Sequence, residues 1–432
     1  MKILRQKISL IIIGALIVTT ALTGCGSSSK GGTTASTGAK ASSEPVTLKY
    51  VASKDTSPAI KKSIEEFEAE NPNIKIDFEE LSGNSDDVKK SLSISLAAGD
   101  SDPDVFAADI IWVPQFAAAG WLLDVTDELT SIKDKYLAGP LLTCQYNNKY
   151  YALPNYTDVG LLYYRKDLIS TPPKTWDDLV KLSKEHIGKD GIEYGYVYQA
   201  FQGEPVVCNA LEFIKQNGGD DLKDGKFVIN SKNSADALKF MRSLIDTGIS
   251  PEGVLAHKPA DSRPIFEEGK ALFMRNWTFE YANAEADTSK VKGKVGVAIL
   301  PVGPDGKDSA GTLGGWNIGI NAKTDHKEEA IKFAKFMSGE KAQKNSTITS
   351  ATFPTLKATY DEEEVKKALP HLQTLKTALE QAKPRPQVSD YSAISTIMQG
   401  YLHKALTLDE PYEQALKELQ DELNAAYEKQ KK

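Results

Sequence analysis

Aromatic residues recur beside carboxylate, amide or guanidinium side chains near the ends of segments with strand-like sequence. These groups are Asp109 with Trp112, Tyr156 with Asp158, Asn276 and Trp277 with Phe279, Gly315 and Trp316 with Asn317, and Arg385 between two prolines. A sugar needs this mixture, because its apolar C–H face stacks on an aromatic ring while its hydroxyls bond carboxylates, guanidinium groups and backbone amides. Any one group alone also fits a structural role, so the interpretation depends on their recurrence.

Other kinds of chemistry lack their sequence signatures. The glycine-rich segment 311–315 (GTLGG) is not followed by the Lys-Ser/Thr of a P-loop, and no Gly-x-Gly-x-x-Gly follows the first predicted strand. No Gly-x-Ser-x-Gly nucleophile elbow is present, and the five histidines are scattered singly. The sequence therefore predicts no cofactor and no metal site.

Length and charge limit the classes of protein further. A chain of 432 residues predicts two or more domain-sized cores. A net charge of -7 argues against a dedicated nucleic-acid binder, which would usually be basic. The 41% of hydrophobic residues is typical of a globular protein.

The elements that would position these side chains alternate between strand and helix. Strands are predicted at 46–52, 74–78 and 105–108, with amphipathic helices between them, the second ended by Gly99. This alternation predicts an α/β fold with a largely parallel sheet. Ligands of such sheets bind beyond the carboxyl ends of the strands, which is where Asp109 lies.

The segment 151–166 is a candidate crossing between two lobes. One extended run is predicted to stop at Pro154, and a second begins just past Asp158, beside the flexible Gly160. An ordinary loop between two strands is the alternative. Two later segments are further candidate crossings, the region of Pro301 and residues 350–354.

Later elements are predicted from the same patterns. Strands are predicted at 271–274, 295–300 and 314–321, helices at 210–216, 235–245 and 328–337, and a mostly helical end from Glu362 that is interrupted at 383–386. Thr175 begins a helix with a capping-box pattern, so Trp176 is predicted to be structural. Trp121 is predicted to be a core residue.

The N-terminus is typical of an exported bacterial lipoprotein. A basic start with Lys2, Arg5 and Lys7 precedes an apolar run at 8–22, which is shorter than the roughly 20 residues of a spanning helix. Residues 22–25 (LTGC) resemble a lipobox, so residues 1–24 are predicted to be a signal peptide and Cys25 to carry lipid. Residues 25–45 are rich in Gly, Ser and Thr and are predicted to be a flexible tether.

Cys144 and Cys208 are the only other cysteines. In an exported protein they could pair, although their distance is not accessible from sequence. Two buried free thiols are the favoured prediction.

From about Val46 to Lys429 the chain resembles the extracellular solute-binding proteins of ABC sugar importers (family 1), and most closely the trehalose/maltose-binding proteins. The matching motifs are 101–106 (SDPDVF) with Asp109 and Trp112, 120–122 (GWL), 151–154 (YALP) through Asp158 to 164–167 (YRKD), 172–176 (PPKTW), 275–277 (RNW), 291–297 (VKGKVGV), 312–316 (TLGGW) and 384–386 (PRP).

The resemblance implies a two-lobed periplasmic-binding-protein-like fold (type II) with three hinge crossings and a sugar in the cleft. It implies an N-terminal lobe of 46–156 plus 302–345 and a C-terminal lobe of 157–301 plus 346–432. It also implies a non-enzymatic receptor that is a monomer and is lipid-anchored on the extracellular face of the membrane. Its partners would be a disaccharide or small oligosaccharide and the permease subunits of an ABC transporter, with no nucleic acid.

The ligand contacts that the resemblance implies are Asp109, Tyr156, Asp158, Trp277, Phe279, Gly314, Gly315, Trp316 and Arg385. Phe279 stands where close relatives have a tyrosine, so a hydroxyl contact would be lost. Relatives also carry contact acids near Asp55 and Thr56 and near Asn84 and Ser85, where this sequence matches poorly. These departures leave the identity of the sugar open.

Two rival functions are also considered. A glycoside hydrolase would use Asp109 and Asp158 as its acid pair, but Arg385 nearby would lower their pKa values. A receptor of the same fold could instead bind another solute. Glycerol phosphate would need a basic or Gly-rich helix start, a polyamine would need more acids in the cleft, and iron would need paired Tyr or His ligands. The mixture of Trp and Asp favours sugar.

Overall fold

The computed structural model describes residues 45–54, 58–407 and 411–430, and these residues belong to one compact unit. The strands are β1 Val46–Ser53, β2 Ile74–Leu81, β3 Val105–Asp109, β4 Gln145–Tyr146, β5 Lys149–Tyr150, β6 Ala152–Val159, β7 Leu161–Arg165, β8 Tyr194–Val197, β9 Leu222–Lys223, β10 Lys226–Phe227, β11 Ala271–Asn276, β12 Val295–Ala298, β13 Leu313–Ile320 and β14 Phe353–Pro354. The predicted signal peptide, most of the tether with Cys25, and the poorly matching Asp55 and Thr56 lie outside the described residues.

Helices separate or follow most of these strands. They are α1 Ala59–Glu70, α2 Ser85–Ala98, α3 Val113–Ala118, α4 Thr126–Thr130, α5 Ala138–Leu142, α6 Trp176–His186, α7 Glu204–Gln216, α8 Lys232–Asp246, α9 Pro259–Glu267, α10 Glu280–Ala284, α11 Lys327–Met337, α12 Glu340–Ser350, α13 Glu363–Ala368, α14 Leu372–Gln381, α15 Tyr391–Leu406 and α16 Tyr412–Gln430. Short 3₁₀ turns lie at Lys133–Lys135, Glu252–Ala256 and Ala358–Asp361.

The first sheet has six strands in the order β14-β6-β13-β3-β1-β2. Strands β1, β2 and β3 are parallel, whereas β13 runs antiparallel to both β3 and β6. The prediction of a largely parallel sheet is therefore wrong, and the sheet is mixed. The reason is that β13 and β3 are far apart in the chain. They are not successive strands joined by a crossover helix, which is the connection that makes neighbouring strands parallel.

Strand β6 continues through Pro154 rather than ending there, which corrects the predicted break. Proline lacks a backbone N–H, and the pairing with β13 shifts register between Trp316 and Asn317, so that Asn317 pairs with Pro154 and Trp316 with Tyr156. This irregularity accommodates the proline, whose carbonyl accepts the Ser338 hydroxyl at 2.5 Å. The chain leaves the first sheet at Gly160 instead.

The second sheet has four strands in the order β12-β7-β11-β8 and begins directly after Gly160 with β7. Only β11 and β8 are parallel within it. Alternate residues of β7 face separate apolar clusters: Leu162 packs with α7 and α8, whereas Leu161 and Tyr163 pack towards α13 and α14. The sheet is thus covered on both faces, and the fold is α/β.

Local signals explain how several helices begin and end. Thr175 accepts from the Asp178 backbone amide while the Asp178 carboxylate accepts from that of Thr175, which confirms the predicted capping box. Trp176 is 4% exposed and stacks on Phe213 with 4.4 Å between the ring centroids, so its structural role is also confirmed. Trp121, predicted to be core, is half-buried against the first-sheet cluster.

Cys144 and Cys208 are both buried and free, as predicted. Burial raises the pKa of both thiols above the usual range, so neither is an activated nucleophile. Among the described residues, no helix combines the length and the apolar character needed to cross a membrane.

Candidate functional site

Three adjacent strands of the first sheet bring several predicted contacts together. Trp316 on β13 pairs with Asp109 on β3 on one side and with Tyr156 on β6 on the other. Gly314 lies opposite Asp158 in the same ladder. Because neighbouring strands are about 4.8 Å apart, these side chains form one contiguous group along the sheet.

The Trp316 ring is half-buried and meets Trp112 edge to face, with 5.2 Å between the ring centroids. Trp112 is 2% exposed and packs in the first-sheet core. Of the two tryptophans, Trp112 is therefore a support, and Trp316 is the ring with surface left for a ligand.

The glycines beside Trp316 are required by close packing. Gly315 has φ +136°, and a Cβ there would lie 2.6 Å from the Tyr156 carbonyl oxygen. A Cβ at Gly314 would lie 2.8 Å from the Trp277 ring. Gly314 thus brings the backbone of β13 against Trp277, which follows β11 of the second sheet.

Asp158 joins the two sheets through the loop after β11. Its Oδ1 accepts the backbone amides of Val159 at 2.8 Å and of Thr278 at 2.9 Å. The Tyr163 hydroxyl donates to the Trp277 carbonyl oxygen at 2.7 Å, which holds the same loop from β7. Trp277 is thus placed next to Asp158 and Gly314.

Burial dominates the electrostatics of both predicted acids. It raises the pKa of Asp158 from 3.8 to about 6, although the amides of Thr278 and Val159 act in the opposite direction. Burial also raises the pKa of Asp109, and Arg385 opposes this only in part. Arg385 therefore acts on the pKa of Asp109 in the predicted direction, but desolvation outweighs its attraction, so the pKa is raised overall. The cation that lowers the pKa of Asp158 is Arg275 and not Arg385, so the prediction is wrong for this acid.

Arg385 bridges two carboxylates. Its Nη2 lies 3.3 Å from Asp109 Oδ1, and its Nη1 donates to Glu204 Oε1 at 2.8 Å. Glu204 also accepts the hydroxyls of Tyr391 at 2.6 Å and Ser395 at 2.5 Å. Because Arg385, Asp109 and Glu204 are all buried, the guanidinium and the two carboxyl groups form a desolvated network.

The same network connects elements of both sheets. Asp86 on α2 accepts the Glu204 backbone amide at 3.3 Å, and the Ser392 hydroxyl donates to Gln115 at 3.0 Å. Asp86 and Gln115 flank the first sheet, whereas Glu204 and Ser392 begin helices that cover the second. These contacts join the two lobes beside the aromatic group.

The remaining sequence predictions have less support from contacts. Phe279 is half-buried at the start of α10, two residues beyond Trp277. Asn84 caps α2 by accepting the Asp87 amide, and Ser85 is the first residue of that helix. Among the described residues, no set of three or more His, Cys, Asp or Glu side chains is arranged to hold a metal ion.

Sequence reasoning missed Glu204, Asp86 and the buried pair of Glu212 with Arg275. Glu204 lies in the first turn of α7, where an acid is explained by the helix dipole alone. Asp86 has the same explanation in α2. Arg275 is part of a noted motif, but its partner Glu212 is 63 residues away in the chain, and no sequence signal connects them.

Comparison with known proteins places this geometry in a family. The sequence model of the bacterial extracellular solute-binding protein family matches residues 52–344. A probable ABC transporter-binding protein of Deinococcus radiodurans is 32% identical over 343 residues, which cover 76% of this chain and 81% of that protein.

Solved structures give the same assignment. Maltose-bound MalE3 of Thermotoga maritima superposes with a TM-score of 0.84 at 37% identity, over 88% of this chain and 99% of that one. An ABC transporter solute-binding protein of Thermotoga lettingae bound with α-D-tagatose has a TM-score of 0.79 at 26% identity, covering 89% and 99% of the two chains.

Proposed function

The chain belongs to the bacterial extracellular solute-binding protein family, and from that premise we propose that it captures a disaccharide or small oligosaccharide, such as maltose or trehalose, in the cleft between its lobes. As a member of this family it is a binding protein of an ABC transporter and not an enzyme. The bound sugar would then be delivered to the permease subunits of the transporter.

The observation that carries the proposal is the meeting of two tryptophans and two buried acids where the sheets join. Trp316 comes from the first sheet and Trp277 from the second, and Asp158 lies next to Gly314 between them. Two aromatic faces with nearby carboxylates suit a ligand of more than one sugar ring. The likeness to a maltose-bound protein supports the same ligand size.

We assign the contacts as follows. Trp277 and Trp316 stack on sugar rings, Asp109, Asp158 and Arg385 bond hydroxyl groups, and Tyr156 adds a ring and a hydroxyl. Gly314 and Gly315 supply close backbone approach, and Phe279 adds apolar surface without a hydroxyl. The proposed N-terminal lobe is 46–156 plus 302–345, and the proposed C-terminal lobe is 157–301 plus 346–432. The protein works as a monomer, and a lipid on Cys25 holds it on the extracellular face of the cell membrane.

A sugar panel tests the proposal. The tether-free segment 46–432 would be screened by thermal shift and tryptophan fluorescence with maltose, trehalose, sucrose, longer glucans and the monosaccharides glucose and tagatose. We expect the largest shift with a disaccharide or trisaccharide. A response to monosaccharides alone would contradict the proposed ligand size, and no response to any sugar would contradict the proposed ligand class.

The Trp277→Ala variant tests whether the sugar binds at the assigned site. It should weaken the response to the best sugar, so that higher sugar concentrations are needed, while the protein keeps its fold by circular dichroism. An unchanged response in this variant would place the sugar elsewhere on the protein.

A further inference from the structure

The Trp277 ring has one face covered by a buried cation. The Arg275 guanidinium carbon lies 4.2 Å from the ring centroid, which is a cation–π contact, and Arg275 is 1% exposed. The edge of the ring meets the backbone at Gly314, where a Cβ would lie 2.8 Å away. The ring is half-buried, and Arg275 occupies one of its two faces.

A second residue fixes the plane of this guanidinium. Glu212 on α7 accepts Arg275 Nε at 2.9 Å and Nη2 at 2.5 Å, and Glu212 is 2% exposed. Two parallel charge-assisted hydrogen bonds determine the orientation of the planar group as well as its position. The guanidinium is therefore a rigid support under the indole.

The ion pair also packs against two of the segments in which the chain passes between the sheets. Glu212 Oε1 accepts the Thr312 amide at 2.9 Å, just before β13. A Cβ at Gly160 would lie 2.1 Å from the same oxygen and 2.7 Å from Arg275 Nη2. Gly160 and Thr312 are joined directly by a backbone hydrogen bond of 3.2 Å. The support of Trp277 is thus anchored to the two connecting segments.

We propose that Arg275, held by Glu212, is a positioning residue for Trp277: it fixes the plane of the indole and restricts the ring to stacking a ligand on one face. The inference builds on the proposed sugar-binding function and deepens it. A buried ion pair that served stability alone would give no reason for the guanidinium to lie over the face of a candidate ligand-binding ring.

A double-mutant cycle on sugar affinity tests the inference. Arg275→Lys keeps the charge but loses the planar fork, and it would be combined with Trp277→Ala, with the dissociation constant of the best panel sugar measured by calorimetry. We expect about tenfold weaker binding from Arg275→Lys alone and little further effect in the Trp277→Ala background. The same factor in both backgrounds would overturn the inference.

The indole N–H signals give a readout that does not depend on any sugar. The five tryptophans give five such signals in ¹⁵N-labelled protein, and Trp277→Phe identifies the one from Trp277. Arg275→Lys should shift or broaden that signal and leave the other four in place. If the Trp277 signal is unmoved, Arg275 does not position the ring, even when no panel sugar binds and the proposed function fails.

Two further variants guard against a purely structural effect. Arg165→Lys changes another buried arginine that binds a carboxylate through two nitrogens, with Asp167 at 2.6 and 2.7 Å, and it should leave both the Trp277 signal and sugar affinity unchanged. If Arg275→Lys does not fold, Glu212→Gln combined with Arg275→Met removes both charges without leaving one unpaired. The combined variant should then give the same specific change at Trp277.

Discussion

The Asp158 carboxylate accepts a hydrogen bond from the backbone amide of Thr278 at 2.9 Å. This bond connects the end of β6 in the first sheet to the loop after β11 of the second sheet, which carries Trp277. Asp158 is 6% exposed, so the hydrogen bond lies in a desolvated environment. There the bond is stronger than in water, and ionisation of the Asp158 carboxyl group is energetically unfavourable. One side chain therefore combines a structural link between lobes, a proposed ligand contact and a perturbed pKa.

Asp158→Asn should have opposite effects on stability and on binding. The native pKa of about 6 lies above the ordinary value of 3.8, so the folded protein binds more protons between these pH values, and the contribution of Asp158 to the unfolding free energy falls as pH rises from about 4 to about 6. The variant has no carboxyl group at this position and lacks this loss. The difference in unfolding free energy between variant and wild type should therefore change by about 1–3 kcal/mol in favour of the variant between pH 4 and pH 7.

Urea unfolding of both proteins at several pH values measures this difference. Sugar affinity of the variant should fall at pH 7, because an amide oxygen is a weaker acceptor than a carboxylate. A stability difference that is constant from pH 4 to pH 7 would show that Asp158 does not titrate in this range.

Trp316→Ala should affect binding more than folding. Removing a half-buried ring from the cleft is expected to cost roughly 2 kcal/mol or more of sugar binding. Loss of its edge contact with Trp112 should cost only about 1 kcal/mol of stability. Calorimetric titration and thermal unfolding give the two values.

Trp176→Ala is the matched control for that experiment. Trp176 stacks on Phe213, and its indole nitrogen donates to Gln216 in the second-sheet core. Its removal should cost about 3–5 kcal/mol of stability and leave the sugar affinity of the folded protein unchanged. Equal binding losses in the two variants would remove the distinction between core and cleft tryptophans.

Arg385→Met should be destabilising at neutral pH and less so in acid. It leaves Asp109 and Glu204 buried without their cation, a change that typically costs about 3–5 kcal/mol. Because burial already raises the pKa of Asp109, lowering the pH protonates this acid and relieves the repulsion. Unfolding at pH 7 and pH 5 tests this, and a loss that is equal at both values would contradict it.

Gly160→Ala should destabilise the fold by about 1–3 kcal/mol or more, because the added Cβ meets a carboxylate that its ion pair holds in place. Gly139→Ala is the matched control, since a Cβ at that helical position has no heavy atom within 4 Å among the described neighbours. Thermal unfolding should separate the two variants clearly. Similar melting temperatures would mean that Glu212 can move aside.

Cys25→Ser should release the protein from the membrane. If the lipid on Cys25 is the anchor, the variant lacks the acylated residue and should appear in the soluble extracellular fraction, while the wild type sediments with membranes. Immunoblots of the two fractions from the expressing bacterium measure this. Membrane retention of the variant would refute the lipid anchor.

Sequence patterns predicted the first three strands and most of the larger helices well, because their apolar periodicity reflects burial directly. The direction of β13 was not predictable, since a strand carries no local mark of which neighbour it joins. Pro154 was misleading for a related reason: the irregular pairing that accommodates it involves Trp316 and Asn317, more than 150 residues away.

The candidate site divides in the same way. Asp109, Trp277 and Trp316 are aromatic and acidic residues in or next to segments with strand-like sequence, so the sequence alone identified them as candidates. Glu204 and Glu212 did not stand out, because an acid in an amphipathic helix has an ordinary explanation as a solvated or dipole-facing group. Only the packing of α7 against Arg385 and Arg275 gives these two acids their role.

The unequal distribution of the proposed contacts between the sheets has a kinetic consequence. Asp109, Tyr156, Asp158 and Trp316 lie on three hydrogen-bonded strands of the first sheet, so a sugar would meet most of its partners on one rigid surface before the second lobe arrives. Substitutions on the first sheet should then alter the association rate as well as the lifetime of the complex. Substitutions at Trp277 or Arg385 should shorten the lifetime alone, because those groups engage the sugar only after the encounter.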